Sequence, residues 1–333
     1  MKHFGILLAS AAALALPAAA QVKISPGPDK IGIEINGKPF SDFYVAGKLP
    51  SYTYRGKTEE AVVTKPYLWP LRAASGTYIT RMWPMEDVSA EASVQKDHPH
   101  QRGLWFAHDS VNKLDFWNNE SSYTTPNRGK IVFKKLGAVK NGKKEGSLAA
   151  DFDWTDLKDN VLLHEARVMT FHADPKLRIV DFDITLTAAQ PVTFGDSKDG
   201  TFGLRLRPDI QEQGGSGHIV NADGLETEKA AWGKPSNWCD YYGTTKEGEA
   251  LGVAILDNPE NPHHPVRWHV RGYGLFAANP FGLAVFTRDK SQNGSMTLAP
   301  GQSLRYRYRV IIHSGDVKSA DIAQLWQHYT SGK

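Results

Sequence analysis

Cysteine, excess charge and long apolar runs are all scarce in this chain. Cys239 is the only cysteine, which excludes an intrachain disulfide framework, and we expect it to pack as a small apolar residue. The formal net charge is +3 over 333 residues. The basic residues are scattered, so charge does not favour a nucleic acid or an anionic membrane surface as partner. Beyond residue 20, no segment approaches the ~20 consecutive apolar residues of a membrane-spanning helix.

The sequence also lacks the motifs of several large protein classes. It contains no P-loop, no dinucleotide-binding glycine fingerprint, no Gly-x-Ser-x-Gly nucleophile elbow and no zincin helix. No segment resembles a nucleic-acid-binding module. No internal repeat, low-complexity tract or linker marks a second domain. These absences favour a single domain that does not bind nucleic acid.

The N-terminus has the composition of a secretory signal peptide. A basic start is followed by an apolar run at residues 4–16, and small residues at 17–20 precede Gln21. This run is too short to cross a bilayer comfortably. The sequence therefore predicts that residues 1–20 are removed and that residues 21–333 form one domain in the periplasm or outside the cell, without a membrane span.

Glycines and aromatic rings are abundant, as is typical of β proteins with many turns. The Asn36-Gly37 pair lies between two short alternating runs and predicts a hairpin of strands 31–35 and 38–45. The other predicted strands are 131–139 paired with 147–154, 162–171 paired with 177–187, and 203–207, 252–256, 282–287 and 303–313. These strands predict an all-β fold, a large antiparallel β-sandwich.

One helix is predicted at the C-terminus, over Ser319–Tyr329. Ser319 can cap it, and Ile322, Leu325 and Trp326 share one face.

A first cluster of polar and aromatic residues follows residue 96. His98, His100 and Arg102 lie within five positions, and Trp105, His108, Asp115 and Trp117 come soon after. Imidazoles suit acid–base catalysis, and a guanidinium can hold vicinal hydroxyls or a carboxylate. His-x-His is also a metal-ligand spacing in strands, so a metal bound by His98, His100 and His108 is an alternative. We do not favour this alternative, and we expect that the protein requires no cofactor. Ordinary hydrogen-bonded loop histidines are the structural alternative.

A second cluster combines the same residue types. His269 and Arg271 alternate with apolar residues in a predicted strand, and Asn279 follows shortly after. A strand edge that faces water would show the same spacing. Because both clusters join histidine, arginine and aromatic rings, we expect them to face one pocket.

An acid–base pair also needs a carboxylate. Glu165 could supply it, although Glu165 and Arg167 share a strand face and could simply form an ion pair. Asp199 lies in a polar loop that leads to Arg205. Trp232, like Trp105 and Trp117, could stack on a sugar ring or belong to the core.

Several of these segments resemble a known family. The segments His98–Trp105, Pro265–Arg271, Tyr273–Gly282, Phe194–Gly200 and Leu298–Leu304 resemble the bacterial exported family labelled "PmoA family" or DUF6807. The first of these names implies a methane-oxygenase subunit with several membrane spans, which the hydropathy of this chain excludes.

The closing strands are also similar to those of galactose-mutarotase-like supersandwiches. That resemblance implies a concave sheet face that binds saccharides, often with a histidine and a carboxylate as acid and base.

Three functions follow as hypotheses. The first is an enzyme that acts on a saccharide or glycoside by hydrolysis, elimination or epimerisation. In it His98 and His100 move the proton, Glu165 or Asp199 is the opposing carboxylate, and Arg102 and Arg271 bind hydroxyls beside His269. The second is a carbohydrate-binding protein without catalysis, and the third is a copper- or zinc-binding envelope protein.

Overall fold

A computed structural model of the chain describes residues 21–87 and 96–332. The predicted signal peptide, residues 1–20, lies outside these residues. Within the described part of the chain, strands dominate, and no helix is long and apolar enough to cross a membrane.

The strands and helices follow one another along the whole described chain. In chain order the strands are β1 Val22–Pro26, β2 Lys30–Ile35, β3 Lys38–Tyr44, β4 Lys48–Tyr54, β5 Lys57–Val62, β6 Tyr67–Trp69, β7 Leu104–His108, β8 Lys130–Lys140, β9 Glu145–Thr155, β10 Val161–His172, β11 Arg178–Ala188, β12 Val192–Phe194, β13 Gly200–Arg205, β14 His218–Asn221, β15 Trp238–Thr244, β16 Ala250–Asp257, β17 Arg267–Val270, β18 Leu275–Asn279, β19 Met296–Leu298 and β20 Ser303–Ser314. The α-helices are α1 Thr227–Ala231, α2 Leu283–Thr287 and α3 Ile322–Ser331.

Two eight-stranded sheets form the body of the protein. The front sheet has the order β1-β2-β3-β6-β7-β13-β18-β17, and the back sheet has the order β14-β15-β16-β20-β11-β10-β9-β8. Every strand pair in both sheets is antiparallel. Aromatic rings join their inner faces, as where Phe202 of the front sheet stacks on Tyr308 of the back sheet at 4.7 Å between centroids. The predicted all-β antiparallel sandwich is confirmed.

The predicted hairpins are confirmed as well. Asn36 and Gly37 turn between β2 and β3 with φ values of 55° and 74°, the left-handed conformation that these two residues tolerate. The β8–β9 and β10–β11 hairpins form where alternation predicted them. In β11 every second residue is buried, as expected of a strand with one face in the core.

One predicted strand is wrong. Residues 282–287 contain the helix α2 rather than a strand. The Asp196 carboxylate accepts hydrogen bonds from the N–H groups of Ala284 and Gly294, which fixes the backbone at the start of this helix. The contact spans 88 positions between Asp196 and Ala284. A short apolar run does not distinguish a strand from a helix by itself.

The C-terminal helix is confirmed, but it begins at Ile322 instead of Ser319. The Ser319 hydroxyl accepts a hydrogen bond from the N–H of Asp316, so Ser319 closes the preceding turn instead of capping the helix. Ile322 is buried against the outer face of the back sheet, and the Trp326 Nε1 donates to the Asp257 carbonyl at 2.9 Å.

Candidate functional site

The candidate site lies on the outer face of the front sheet, over strands β7, β13, β18 and β17. Alternate residues of these strands point away from the back sheet. One row across the strands contains Trp105, Gly203, Ala277 and His269, and the next row contains Arg205, Leu275 and Arg271. The inner neighbours Phe202 and Leu204 are buried in the core. The sheet therefore brings His269, Arg205 and Arg271 to one face.

We call the residues Arg81, Asp97, His98, Gln101, Arg205 and Tyr273 the His98 cluster. The His98 Nδ1 lies 3.0 Å from the Asp97 Oδ2, and the His98 side chain is 44% exposed. The His98 ring stacks on Tyr273 with 5.5 Å between centroids and 3° between planes. The φ of His98 is 45°, a left-handed value that is uncommon outside glycine and often found at functional sites.

Two buried arginines hold the Asp97 carboxylate. Its Oδ1 accepts hydrogen bonds from the Arg81 Nη1 at 2.9 Å and the Arg205 Nη2 at 2.8 Å. Burial alone would raise the pKa of Asp97. The close contact with His98 and the charges of Arg205 and Arg81 outweigh burial and lower this pKa well below its usual range. Asp97 is therefore ionised at all physiological pH values and faces His98 as a carboxylate.

His100 is adjacent to this cluster but is buried. Its ring contacts that of His98 edge-on, with 5.7 Å between centroids, and its Nδ1 lies 3.0 Å from the Tyr123 hydroxyl. Burial, reinforced by the charge of Lys65, lowers the pKa of His100 well below its usual value. His100 is thus a neutral ring that supports His98.

Arg102 is paired inside the protein and is not free to bind hydroxyls. Its Nε and Nη2 donate to the two carboxylate oxygens of Glu120 at 3.0 and 2.8 Å, and both side chains are buried. Lys65 is buried nearby and donates to the Asn119 Oδ1 at 2.7 Å. Burial lowers the pKa of Lys65 to about 7, although Glu120 and Asp115 raise it. These residues form a structural polar network beneath the site.

Arg271 joins the second predicted segment to the first. Its guanidinium lies 5.3 Å from the centroid of the Tyr273 ring, the same ring on which His98 stacks. The Arg271 Nε donates to the Glu228 Oε1 at 2.6 Å, and the side chain remains 34% exposed. The structure therefore brings His98 and Arg271, one from each His/Arg segment, to the same aromatic ring.

His269 lies one row away on the same face. Its Nδ1 is 3.8 Å from the Asp199 Oδ1, and its ring centroid is 6.4 Å from that of Trp232. Burial lowers the pKa of His269 to about 4, although the charge of Asp199 raises it. The Lys198 Nζ contacts both oxygens of Asp199 at 2.8 Å.

Asp109 adds a carboxyl group beside Asp199. Its N–H donates to the Asp199 carbonyl at 2.9 Å, and its Oδ2 accepts from the Ser197 hydroxyl at 2.7 Å. Burial, helped by the charge of Asp199, raises the pKa of Asp109 to about 7, although the hydrogen bond from Ser197 lowers it. A carboxyl group that titrates near neutrality is typical of a functional site.

Several polar atoms on this face have no partner. Among the described residues, no group with hydrogen-bond geometry meets either ring nitrogen of His269, or the Nε1 of Trp105 or Trp232. Buried polar atoms are nearly always paired in native proteins. All four of these atoms are buried from solvent as well as unpartnered.

Glu165 lies away from this face, between the two sheets. Its Oε1 accepts a hydrogen bond from the Arg167 Nε at 2.7 Å, and its Oε2 accepts one from the Trp154 Nε1 at 2.7 Å. The Arg167 guanidinium is packed between the Phe43 and Phe152 rings, at 5.7 and 5.3 Å. The ion-pair alternative is the one observed, and Glu165 does not face either histidine cluster.

Trp105 and Trp117 do not offer a stacking platform to a sugar. Both are buried, and their ring centroids are 4.9 Å apart. A Cβ at Gly203 would lie 2.6 Å from Trp117 and 2.9 Å from Trp105, so the glycine lets both rings lie against the sheet. Trp232 is partly buried, unlike the other two tryptophans of the predicted set.

Three further predicted residues have structural partners. Asp115 accepts hydrogen bonds from the N–H groups of Trp117 and Asn118 in a turn. The Asn279 Oδ1 accepts from the N–H groups of Phe281 and Gly282. The His108 Nε2 donates to the Gly195 carbonyl at 2.8 Å, and burial lowers the pKa of His108 to about 4. These contacts fix loops around the site.

No group of three or more histidine, cysteine, aspartate or glutamate side chains in the described ranges is arranged to hold a metal ion. His108 is opposite Gly200 at one end of β13, whereas the His98 cluster contacts Arg205 at the other end. Five residue-to-residue steps along the strand separate these ends by about 16 Å. The structure therefore does not bring His108 to His98 and His100.

Some site residues were not identified from the sequence. Asp97 is adjacent to His98, and this Asp-His pair was the available signal. Tyr273 follows Arg271 by two positions. Arg81 and Tyr123 lie in segments without a recognisable pattern, so sequence offered no signal for either.

A described protein family and several solved structures are similar to this chain. Residues 41–327 match the family described as "Family of unknown function (DUF6807)". No curated protein matches the chain.

Several solved structures are similar to the chain at low identity. Two GH36 α-galactosidases from Geobacillus stearothermophilus are 11% and 10% identical, with TM-scores of 0.36 and 0.39. Each match covers 89% of this chain, which spans only 40% and 41% of those proteins. A galactose mutarotase related enzyme from Lactobacillus acidophilus is 9% identical, with a TM-score of 0.28, and the match covers 89% of this chain and 97% of that one. Scores this low carry no argument about function.

Proposed function

Since the chain belongs to the DUF6807 family, whose function is unknown, we propose a function from its site. The protein is an enzyme that moves a proton on a saccharide or glycoside bound over the outer face of the front sheet. It acts in the periplasm or outside the cell, in keeping with the signal-peptide composition of residues 1–20. The reaction class is acid–base chemistry, which includes hydrolysis, elimination and epimerisation.

The Asp97–His98 pair is the observation that carries the proposal. The Asp97 carboxylate lies 3.0 Å from the His98 Nδ1, beside an imidazole of the type that serves as general acid or base. With Nδ1 turned to Asp97, Nε2 is the nitrogen left to exchange a proton with a substrate. Asp97 takes the role that the sequence assigned to Glu165 or Asp199.

The surroundings of this pair suit a polyhydroxylated ligand. The partly exposed Arg271 presents N–H donors beside His98, and Tyr273 supplies an aromatic surface. His100 and Arg102 are buried supports that hold the loop in place. His269 lies buried one row away on the same face, with unpartnered ring nitrogens beneath the surface.

A His98→Ala variant tests the proposal. Wild-type and variant protein would be incubated with 4-nitrophenyl glycosides and oxidised sugars, and product release would be followed together with saccharide affinity. We expect turnover to fall by about 100-fold or more while affinity changes little, because a positioned acid or base contributes on that scale.

The matched control is His164→Ala. His164 lies on the back sheet, with its Nδ1 2.7 Å from the Asp153 Oδ1, and it is exposed like His98. This variant should keep wild-type turnover. Unchanged turnover in His98→Ala would remove His98 from the mechanism, and saccharide binding without any product would indicate the non-catalytic binding protein instead.

A further inference from the structure

A cleft of about 340 Å³ opens beside strands β17 and β18, next to the site described above. Its walls are formed by Pro235, His263, Pro265, Arg267, Asn279, Pro280, Leu283, Asn293 and Gly294. No aspartate or glutamate is among them. The volume is that of a small-ligand site.

Arg267 is the charged group of this cleft. Its Nη1 donates to the Gly233 carbonyl at 2.8 Å, and no carboxylate in the described part of the chain pairs with its guanidinium. Burial lowers the pKa of Arg267. The other arginines of this face differ, because Arg205 and Arg271 pair with Asp97 and Glu228.

The Asp196 carboxyl group in the surrounding loops is engaged with the backbone. Asp196 accepts hydrogen bonds from the N–H groups of Ala284 and Gly294. His263 faces the cleft with a left-handed φ of 60°, and its Nδ1 is held by the Pro280 carbonyl at 2.6 Å. Its Nε2 is therefore the nitrogen that a ligand can reach.

We propose that this cleft binds the carboxylate of an acidic saccharide, with Arg267 as its partner. A planar guanidinium with free N–H groups matches a carboxylate in a forked pair, and a cleft without acidic side chains does not repel an anion. Arg267 precedes His269 by two positions on β17 and shares its face, which separates them by about 7 Å along the strand. His269 itself is buried, so a saccharide that reaches Arg267 from the His98 cluster would pass over it along the strand. The inference rests on the proposed function and specifies its substrate class.

Binding of two matched glycosides tests the inference. Methyl β-D-glucuronide and methyl β-D-glucoside differ only in the carboxylate, and isothermal titration calorimetry would compare their affinities, with inorganic sulfate as a third probe. We expect the glucuronide to bind about tenfold or more tightly than the glucoside, since a charge-assisted pair contributes on that scale. Its affinity should fall as salt is raised, while that of the glucoside should not.

Two variants test whether Arg267 causes the preference for the glucuronide. Arg267→Gln should abolish the preference for the glucuronide, and Arg267→Lys, which keeps the charge but not the fork, should retain part of it. Arg305→Gln is the control, because Arg305 lies exposed on the back sheet and pairs with Asp183. Urea denaturation checks that each variant is folded.

Equal affinity for both glycosides, or a preference that survives in Arg267→Gln, would overturn the inference. Sulfate binding as tight as glucuronide binding would also overturn it, since the cleft would then be a site for inorganic anions. A preference without turnover of any glycoside would leave this subsite standing and refute the proposed enzyme. Turnover that depends on His98, together with equal affinity for the two glycosides, would support the proposed enzyme and refute the carboxylate subsite.

Discussion

Replacing Glu165 by glutamine should destabilise the fold without touching the candidate site. The Glu165 and Arg167 side chains are almost fully enclosed, with exposures of 0% and 2%. Glutamine keeps an acceptor for the Trp154 Nε1 but leaves the Arg167 charge without a counter-ion. Loss of one partner of a buried ion pair costs about 3–5 kcal/mol, so we expect the free energy of unfolding to fall by that amount.

The double variant Glu165→Gln, Arg167→Met tests whether the unpaired charge of Arg167 causes the loss of stability. An uncharged pair of similar volume in an apolar setting is often as stable as the buried ion pair, so the double variant should recover to within about 1–2 kcal/mol of wild type. Asp183→Asn is the exposed control. Its partner Arg305 lies at the surface, and the loss should be about 1 kcal/mol or less.

Urea denaturation measures all four proteins, and turnover is assayed where each remains folded. A loss below about 1 kcal/mol in Glu165→Gln would refute the buried ion pair, because that is the scale of a surface pair. Turnover that collapses in folded Glu165→Gln would return Glu165 to the catalytic role that the sequence suggested.

Two further predictions concern packing and pH. Gly203→Ala should cost about 1–3 kcal/mol by overpacking, because its Cβ would meet Trp117 at 2.6 Å, whereas Gly32→Ala, whose nearest contact is 3.5 Å away, should cost less in the same urea assay. Burial lowers the pKa of His313, but the charge of Asp240 outweighs burial and raises this pKa above 6.5. The stabilisation of the fold by the His313–Asp240 pair is therefore complete below pH 6.5, and it is lost as the pH rises through the pKa of His313 in the folded protein. His313→Gln should flatten the decline of stability above that pH, and an equally steep decline in the variant would refute the assignment.

Local patterns predicted the strands well because the information lies within a few residues. The Asn36-Gly37 turn and the alternation in β11 depend on neighbours in sequence, and both are confirmed. The strand predicted at residues 282–287 is wrong because Asp196, distant in sequence, holds the start of α2. The spacing of apolar residues along a segment contains no information about a contact with a residue that is distant in sequence.

Sequence also indicated some residues of the candidate site, because their types and spacing are local features. Residue types and density indicated His98 and Arg271, and the sheet brings them to one aromatic ring. The partners were less predictable, since Arg205 reaches Asp97 across 108 positions. Arg102 and Glu165 were assigned roles at the site, but each is in a buried pair, and side-chain burial follows from packing rather than from residue type.

Diffraction from crystals soaked with a saccharide that binds the protein tests the central claim most directly. We predict sugar density over the outer face of the front sheet, in contact with His98 and reaching towards His269. Density confined to the cleft of about 560 Å³ between α3 and the β14–β15 edge of the back sheet, near Trp238, would contradict the assignment of the site to the front sheet.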